Sequence, residues 1–399
     1  MKVLFVTSGW PTHFYLVAPL AWAFRVRGHE VRVAVPPSGV ATVTGAGLPA
    51  VRVGRDIDFM ELRRQTLPHE LSDERPETFE ELTERFASDG GDGGVLGQWQ
   101  DASFAATEDL VRLARRWRPD LVIADTMSIG GLVAAHVVGV PAIRHLLATD
   151  ILGSVDGEGL LDILPGFREH FAQYGVALAG DPAHLTLDPC PPSMQHPPAP
   201  SRRQIRFVPY NGTATVPRWL REPPTRPRVC VTWGTTSAWS AGESKFLVPE
   251  IVEALGELDV EIIVTLGAGQ RRFLGETPPG VRVLEGLPLH LLMPTTAVLI
   301  NQGGSASILT GARYAVPQLC VAYLPEQVND GEAYASTGAG ICLHVEKIDA
   351  ETHGRAVGSL LGDPSYRRAA ERVRDEMTRQ PSLAETVSML EDLCGRSAG

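Results

Sequence analysis

Cysteine is scarce in this chain and never clustered. Cys190, Cys230, Cys320, Cys342 and Cys394 form no CxxC pair and no Cys/His group, so neither a disulfide framework nor a zinc site is written into the sequence. An odd, scattered count points instead to reduced thiols in a cytoplasmic protein. Long apolar runs are missing too. No stretch approaches the roughly 18 residues that a membrane-spanning helix needs. The opening MKVLFVTSGWP has an apolar run of four residues and reads as a first β-strand, not a signal peptide. Positive charge is short: 36 Lys and Arg stand against 47 Asp and Glu, a formal charge of −11. That balance argues against nucleic acid or an anionic membrane as partner. A dinucleotide fingerprint is also absent. The glycines of Gly91-Asp92-Gly93-Gly94, and the pair Gly267 and Gly269, do not form GxGxxG between strand and helix, which speaks against a nicotinamide site.

What is present is apolar residues in βα alternation. With 399 residues, 44% of them hydrophobic, the chain is expected to build two domains with sizeable cores. Strands are expected at 3–6, 29–35, 51–53, 121–125 and from 141 to 145, with helices at 16–27, 41–46, 101–117 and 128–138. This alternation predicts a doubly wound α/β domain. Residues 60–97 break the pattern. They are acidic, poor in large apolar groups and glycine-rich at the end, and read either as a lid or as a surface loop without function. A helix is expected over 160–174 and an extended, proline-rich segment over 188–200. Arg221 to Arg228 (REPPTRPR) is a linker by composition. A second βα series follows, with strands at 229–233, 260–266, 281–284, 297–301, 318–323 and 341–345. Its helices are expected at 243–256, 305–314, 330–337, 349–361 and 364–379. The last helix, 383–394, opens with a capping box of Ser382 and Glu385.

One stretch carries the chemistry. Val298, Leu299 and Ile300 form a buried strand that runs into Asn301-Gln302-Gly303-Gly304-Ser305-Ala306-Ser307 and then a helix pattern. Gly303 and Gly304 allow a tight turn and close approach of a ligand. The first N–H groups of a helix lack intrahelical partners and lie at its positive end. A strand–Gly–Gly–helix unit is therefore a ready anion site, most often for phosphate. A structural βα turn is the plainer alternative. The next strand leads into Leu324-Pro325-Glu326-Gln327, which places a carboxylate and an amide on the same edge. Diphosphate beside hydroxyl-binding groups suggests a nucleotide sugar.

These residues resemble the donor-site signature of the NDP-sugar-dependent antibiotic and macrolide glycosyltransferases. That family's pattern runs His-His-Gly-Gly-Ala-Gly-Thr, then Gly-Val-Pro-Gln, then Pro-x-x-x-Asp-Gln. Here the matching segments are Asn301 to Ser307, Ala315-Val316-Pro317-Gln318 and Glu326-Gln327. Gln302 stands where the family has a diphosphate-contacting His, Ala306 replaces a glycine, and Glu326 replaces a sugar-binding Asp. Arg206 to Gly212, with Val216-Pro217 and Trp219-Leu220, is similar to the same family, with Arg218 where it has an acidic residue. The resemblance implies a GT-B fold, two Rossmann-like βαβ domains facing a central cleft. Residues 1–212 would form the acceptor-binding domain, 213–228 a linker and 229–380 the nucleotide-sugar domain. Residues 381–399 would hold a helix crossing back to the first domain.

Glycosyl transfer needs a base for the acceptor hydroxyl and donors for the departing diphosphate. His13, after the first strand and just before a helix, is the candidate base, and the resemblance implies the same. Asp125, ending its strand, could orient the imidazole, as relatives imply, or cap the helix near Ser128. His145, also at a strand end, and Trp10 are candidates for acceptor contacts. The apolar acceptor cleft would use parts of 60–100 and 145–175. On the donor side the resemblance adds Trp233, Gly234 and Thr235 for phosphate or ribose, and Leu287 for the base edge beside Gly286. Glu326 and Gln327 would hold sugar hydroxyls. Asp56-Ile57-Asp58 is formally DxD but lies far from the expected donor site. No metal and no cofactor beyond the nucleotide sugar is expected.

The reading is an inverting transferase that moves a (deoxy)sugar from an NDP donor, TDP above all, to a polyketide-type aglycone. A related protein that binds without catalysing transfer is the alternative, and an NDP-sugar epimerase a third reading. A homodimer and an activator protein are compatible with the sequence, and nothing in it requires either.

Overall fold

The computed structural model describes residues 1–56, 104–150, 166–196, 200–234, 246–267, 269–345 and 350–397. Among them run two all-parallel sheets. The first contains β1 (Lys2–Val6), β2 (Glu30–Val35), β3 (Ala50–Arg52), β4 (Leu121–Asp125), β5 (Ala142–His145), β6 (Leu185–Asp188) and β7 (Arg202–Gln204). Their order is β3-β2-β1-β4-β5-β6-β7. The second contains β8 (Arg228–Thr232), β9 (Glu261–Leu266), β10 (Arg282–Glu285), β11 (Val298–Asn301), β12 (Gln318–Ala322) and β13 (Gly340–His344), ordered β10-β9-β8-β11-β12-β13.

Both sheets are covered on their two faces, which is why the strands read as unbroken apolar runs. In β1, Leu4 and Val6 pack into one core with Val122 and Ala124 of β4, while Val3 and Phe5 pack into the other with Leu121 and Ile123. In the second sheet Val229, Val231, Val298 and Ile300 share one core, and Cys230 and Leu299 the opposite one.

Each sheet reverses its winding once. In the first the reversal lies between β1 and β4, paired Val6 to Ala124; in the second it lies between β8 and β11, paired Ile300 to Val231. At such a switch point the loops leaving the two strands diverge and open a crevice at their carboxyl ends. The first crevice is bordered by Thr7 to Thr12 and Asp125, the second by Gly234 and Asn301 to Gly304.

The two sheets meet around Leu16, Ala148 and Phe207 from the first side, packed with Ile308, Leu309 and Ala312 from the second. Asn211 adds polar ties. Its side-chain oxygen accepts from the His290 N–H at 3.1 Å, and its amide reaches the Thr310 hydroxyl at 3.4 Å. The last helix, Leu383–Ser397, returns to the first sheet, where Val387 and Leu390 join the core of Phe14, Val17 and Phe24. Glu391 pairs there with Arg27 at 2.6 Å and His29 at 2.7 Å. Among the described residues no helix is long and apolar enough to cross a membrane.

Two local details differ from the sequence reading. The first helix starts at Pro11, not Leu16, because proline suits the first helical turn, where an N–H has no partner. It then runs on through Pro19 to Val26. The segment after 188 is not simply extended: a 3-10 turn at Pro192–Met194 leads into the short strand β7. The expected lid over 60–97 lies outside the described residues.

Candidate active site

At the first switch point, the helix Pro11–Val26 begins directly after the β1 loop, so His13 sits in its first turn and not ahead of it. Its Nδ1 lies 3.0 Å from the Ser8 hydroxyl and 3.3 Å from Asp125 Oδ2. Asp125 can only accept, so this contact requires a proton on Nδ1 and leaves Nε2 as the basic nitrogen. The His13 side chain is 16% exposed and that of Asp125 0%. Trp10 stacks beside the imidazole, with ring centroids 5.9 Å apart and planes 13° from parallel.

Asp125 reaches the imidazole and closes the turn ahead of the Ile129–Val138 helix, but it does not cap that helix. Oδ2 takes hydrogen bonds from the Thr7 hydroxyl at 2.9 Å and the Ser8 N–H at 3.0 Å. Oδ1 accepts from the Met127 N–H at 3.0 Å and so closes the turn before the Ile129–Val138 helix. Burial pushes the Asp125 pKa up, but His13, Ser128 and the Ser8 amide outweigh it and hold the carboxyl below its usual value. The aspartate therefore stays ionised beside the imidazole. Thr7 and Ser8 are site residues that the sequence reading missed. Their signal was two small hydroxyls directly after a strand that ends at a switch point.

His145 does not join this group. It is 1% exposed and its Nδ1 faces the Leu146 carbonyl at 2.7 Å. Burial lowers its pKa to about 4 and keeps it neutral. A ring so enclosed has no face for an acceptor, so the structure gives it a core position.

At the second switch point the loop after β11 is built from its own side chains. Asn301 Oδ1 accepts from the Gly303 N–H at 2.8 Å, and its amide donates to Gln318 Oε1 at 3.0 Å. Gln318 in turn donates to the Ile308 carbonyl at 2.9 Å. Gly303 has φ +86°, and a Cβ there would lie 2.5 Å from the Gln327 carbonyl. Only glycine suits this position. The helix Ser305–Arg313 starts immediately beyond, with Ser305, Ala306 and Ser307 half-buried in its first turn. Gln302 is 5% exposed and lies against the β8 loop, where a Cβ on Gly234 would stand 2.2 Å from its Nε2. Gln302 Oε1 has no hydrogen-bond partner among the described residues. Gln270, fully buried, ties the loops after β8 and β9, accepting from the Gly267 N–H at 2.8 Å and donating to the Gly234 carbonyl.

Two donor-side details differ from the sequence reading, and one residue lies outside the described ones. The Trp233 ring is 0% exposed, because it falls on the same face as Val229 and Val231 and packs into their core with Phe246 and Leu274. Only its backbone can border the crevice. Thr235 lies outside the described residues. Glu326 and Gln327 do not end a strand: the helix Pro325–Ser336 has already begun, with proline in its first turn. Glu326 points to solvent, and Gln327 is 5% exposed beneath Gly303, its Oε1 3.4 Å from the Leu324 N–H. One turn further, Asn329 and the 4% exposed Asp330 tie this helix to its neighbours. Asp330 Oδ2 accepts from the Ser305 hydroxyl at 2.6 Å, and Asn329 donates to the Thr149 hydroxyl at 2.6 Å. The Leu287 carbonyl, after Gly286 at φ +68°, accepts from the Thr265 hydroxyl at 3.4 Å. Among the described residues no three His, Cys, Asp or Glu side chains converge as a metal cage.

Comparison with known proteins identifies the family and the fold. The erythromycin biosynthesis protein CIII-like N-terminal domain matches residues 22–234, and the corresponding C-terminal domain matches residues 249–393. The chain is 35% identical to 10-deoxymethynolide desosaminyltransferase of Streptomyces venezuelae, over 99% of this chain and 98% of that one. It is 34% identical to aclacinomycin-T 2-deoxy-L-fucose transferase of Streptomyces galilaeus, over 98% and 96%. Among solved structures, glycosyltransferase VinC in complex with dTDP superposes with a TM-score of 0.82 at 31% identity, covering 99% of this chain and 100% of that one. Spinosyn rhamnosyltransferase SpnG with thymidine diphosphate gives 0.81 at 29% identity, covering 98% and 100%. With its two switch-point crevices on either side of one interdomain contact, the chain belongs to the erythromycin biosynthesis protein CIII-like family and is an antibiotic glycosyltransferase of the GT-B fold.

Proposed function

We propose that this enzyme transfers a (deoxy)sugar from a TDP donor to a hydroxyl of a polyketide-type aglycone, with inversion and without a metal. The observation that carries the reading is the His13–Asp125 contact at one switch point, set across the cleft from a glycine loop and helix start at the other. His13 Nε2 takes the acceptor proton as the hydroxyl attacks the anomeric carbon from the face opposite the diphosphate. Asp125 fixes the imidazole and stabilises the imidazolium that forms.

Negative charge develops on the leaving diphosphate, and the free N–H groups and positive end of the Ser305–Arg313 helix receive it. Gln302 adds an amide donor where other members of the family have histidine. Glu326 and Gln327, in the first turn of the Pro325–Ser336 helix, hold sugar hydroxyls, and Leu287 borders the base. Trp10 covers the imidazole on the acceptor side. The named relatives act on macrolide and anthracycline-type substrates, and two structural neighbours hold the same thymidine diphosphate. These likenesses support TDP and an aglycone of that class. The five cysteines form no disulfide, in keeping with work in the reducing cytoplasm.

Calorimetric titration of TDP and UDP in EDTA tests the donor half. Wild type is expected to bind TDP with about micromolar Kd, and Gln302→Ala to weaken it roughly tenfold, the loss of one hydrogen bond to a charged group. A folded wild-type protein that binds neither nucleotide would sink the reading and favour a binding protein without transferase chemistry.

A further inference from the structure

We infer that Ser8, in the loop after β1, is a positioning residue for His13: its hydroxyl is the nearer acceptor of the imidazole Nδ1–H and fixes the ring with Nε2 bare. This role deepens, and rests on, the reading of His13 as the base. Two oxygens compete for one N–H. Ser8 Oγ stands 3.0 Å from Nδ1 and Asp125 Oδ2 3.3 Å. A hydroxyl can give or take a hydrogen bond, whereas an ionised carboxylate can only take one. A bare Nδ1 lone pair so close to that carboxylate would be repelled by it. Nδ1 therefore carries the proton, and Ser8 Oγ accepts from it.

The carboxylate is already engaged elsewhere. A carboxylate offers about four acceptor positions. On Asp125 the Thr7 hydroxyl at 2.9 Å and the Ser8 N–H at 3.0 Å take Oδ2, and the Met127 N–H at 3.0 Å takes Oδ1. The Ser128 side chain bonds the same carboxyl group. The imidazole arrives as a further donor, at 3.3 Å. Asp125 thus supplies the charge that keeps the proton on Nδ1, and Ser8 supplies the shorter bond that orients the ring.

Ser8 is itself held in place. It is 8% exposed. One residue joins the carboxylate through its backbone N–H and the imidazole through its side chain. Thr7, just before it, is tied to β2 by its N–H on the Ala34 carbonyl at 3.1 Å. Gly9, just after it, lies against the turn beyond β2, where an added Cβ would stand 2.7 Å from Ser38 Oγ and 3.6 Å from the Pro36 Cβ. His13 is anchored on its own side, its N–H closing on the Trp10 carbonyl at 3.1 Å in the first turn of the helix. Both ends of the Ser8–His13 bond are therefore set by backbone. The outer torsion of a histidine is broad and roughly two-fold, so without the hydroxyl the ring is free to turn and the proton to change nitrogen.

The test reads the ring directly. ¹⁵N NMR at about pH 8, where an ordinary imidazole is neutral, is recorded on wild type, Ser8→Ala and Ser8→Thr. The His13 signals are assigned by their absence in His13→Ala. Wild type is expected to carry its proton on Nδ1, with Nε2 bare. In Ser8→Ala both ring nitrogens should move toward tautomer-averaged positions, and Ser8→Thr should keep the wild-type pattern. Kinetics with a TDP-sugar and a polyketide lactone should show kcat about tenfold lower in Ser8→Ala, the loss of one hydrogen bond to a group that becomes charged. TDP affinity should stay as in wild type. Wild-type ring signals in Ser8→Ala, wild-type kcat in that variant, or a proton on Nε2 in wild type would each overturn the inference. Undiminished transfer by His13→Ala would instead remove the base reading beneath it.

Discussion

His13→Ala is expected to lower kcat for glycosyl transfer by about 10²- to 10⁴-fold and to leave TDP affinity unchanged. The split follows from where the side chain sits. The imidazole lies at the first switch point, whereas the glycine loop proposed to take the diphosphate lies at the second. Removing it takes away the proposed base for the hydroxyl proton but no proposed contact to the donor. The side chain is 16% exposed on the loop side of its helix, so truncation leaves the core of Phe14, Val17 and Leu20 intact. Asp125→Asn is the companion variant. It keeps an oxygen for the Met127 N–H but presents an amide or a weaker acceptor to Nδ1, so the basic nitrogen is no longer fixed as Nε2. Steady-state kinetics with circular dichroism as the folding control checks both. If Asp125 only closes its turn, Asp125→Asn keeps the wild-type kcat.

Gly303→Ala should reduce TDP affinity by about 10- to 100-fold. A non-glycine residue at φ +86° costs on the order of 1–2 kcal/mol. Its methyl would also stand 2.5 Å from the Gln327 carbonyl and 2.9 Å from the Gln327 Cβ, both on a packed helix that cannot swing away. The turn must shift, and the amides that face the diphosphate shift with it. Gly304→Ala is the contrast. Its φ is −70°, and the atom nearest to a new methyl, at 2.8 Å, is Gln302 Nε2, the end of a long side chain. Calorimetry should show Gly304→Ala as the milder lesion. Equal affinity for Gly303→Ala and wild type would mean that the turn does not shape the donor site.

Much of this site is legible in the amino-acid sequence. Apolar β1 and β4, followed by a small-residue loop and an aspartate, locate one crevice. A strand, two glycines and a helix locate the other. The misreadings share a cause, which is side-chain direction. Trp233 lies two and four residues from Val231 and Val229, so strand alternation already points its ring into their core. Glu326 and Gln327 read as a strand end, but Pro325 opens a helix and both lie in its first turn. Thr149 and Asn301 are illegible for a different reason. Their partners, Asp330 and Gln318, lie 181 and 17 residues away, and nothing local marks such pairs. β7 escapes a sequence reading because its three residues, RRQ, carry no apolar pattern.

The most direct test of the central claim is proton NMR of the product formed from an α-linked TDP-sugar and a polyketide lactone. The account predicts a β-linked glycoside from wild type and none from His13→Ala. A product of retained configuration, or equal product from His13→Ala, would contradict it.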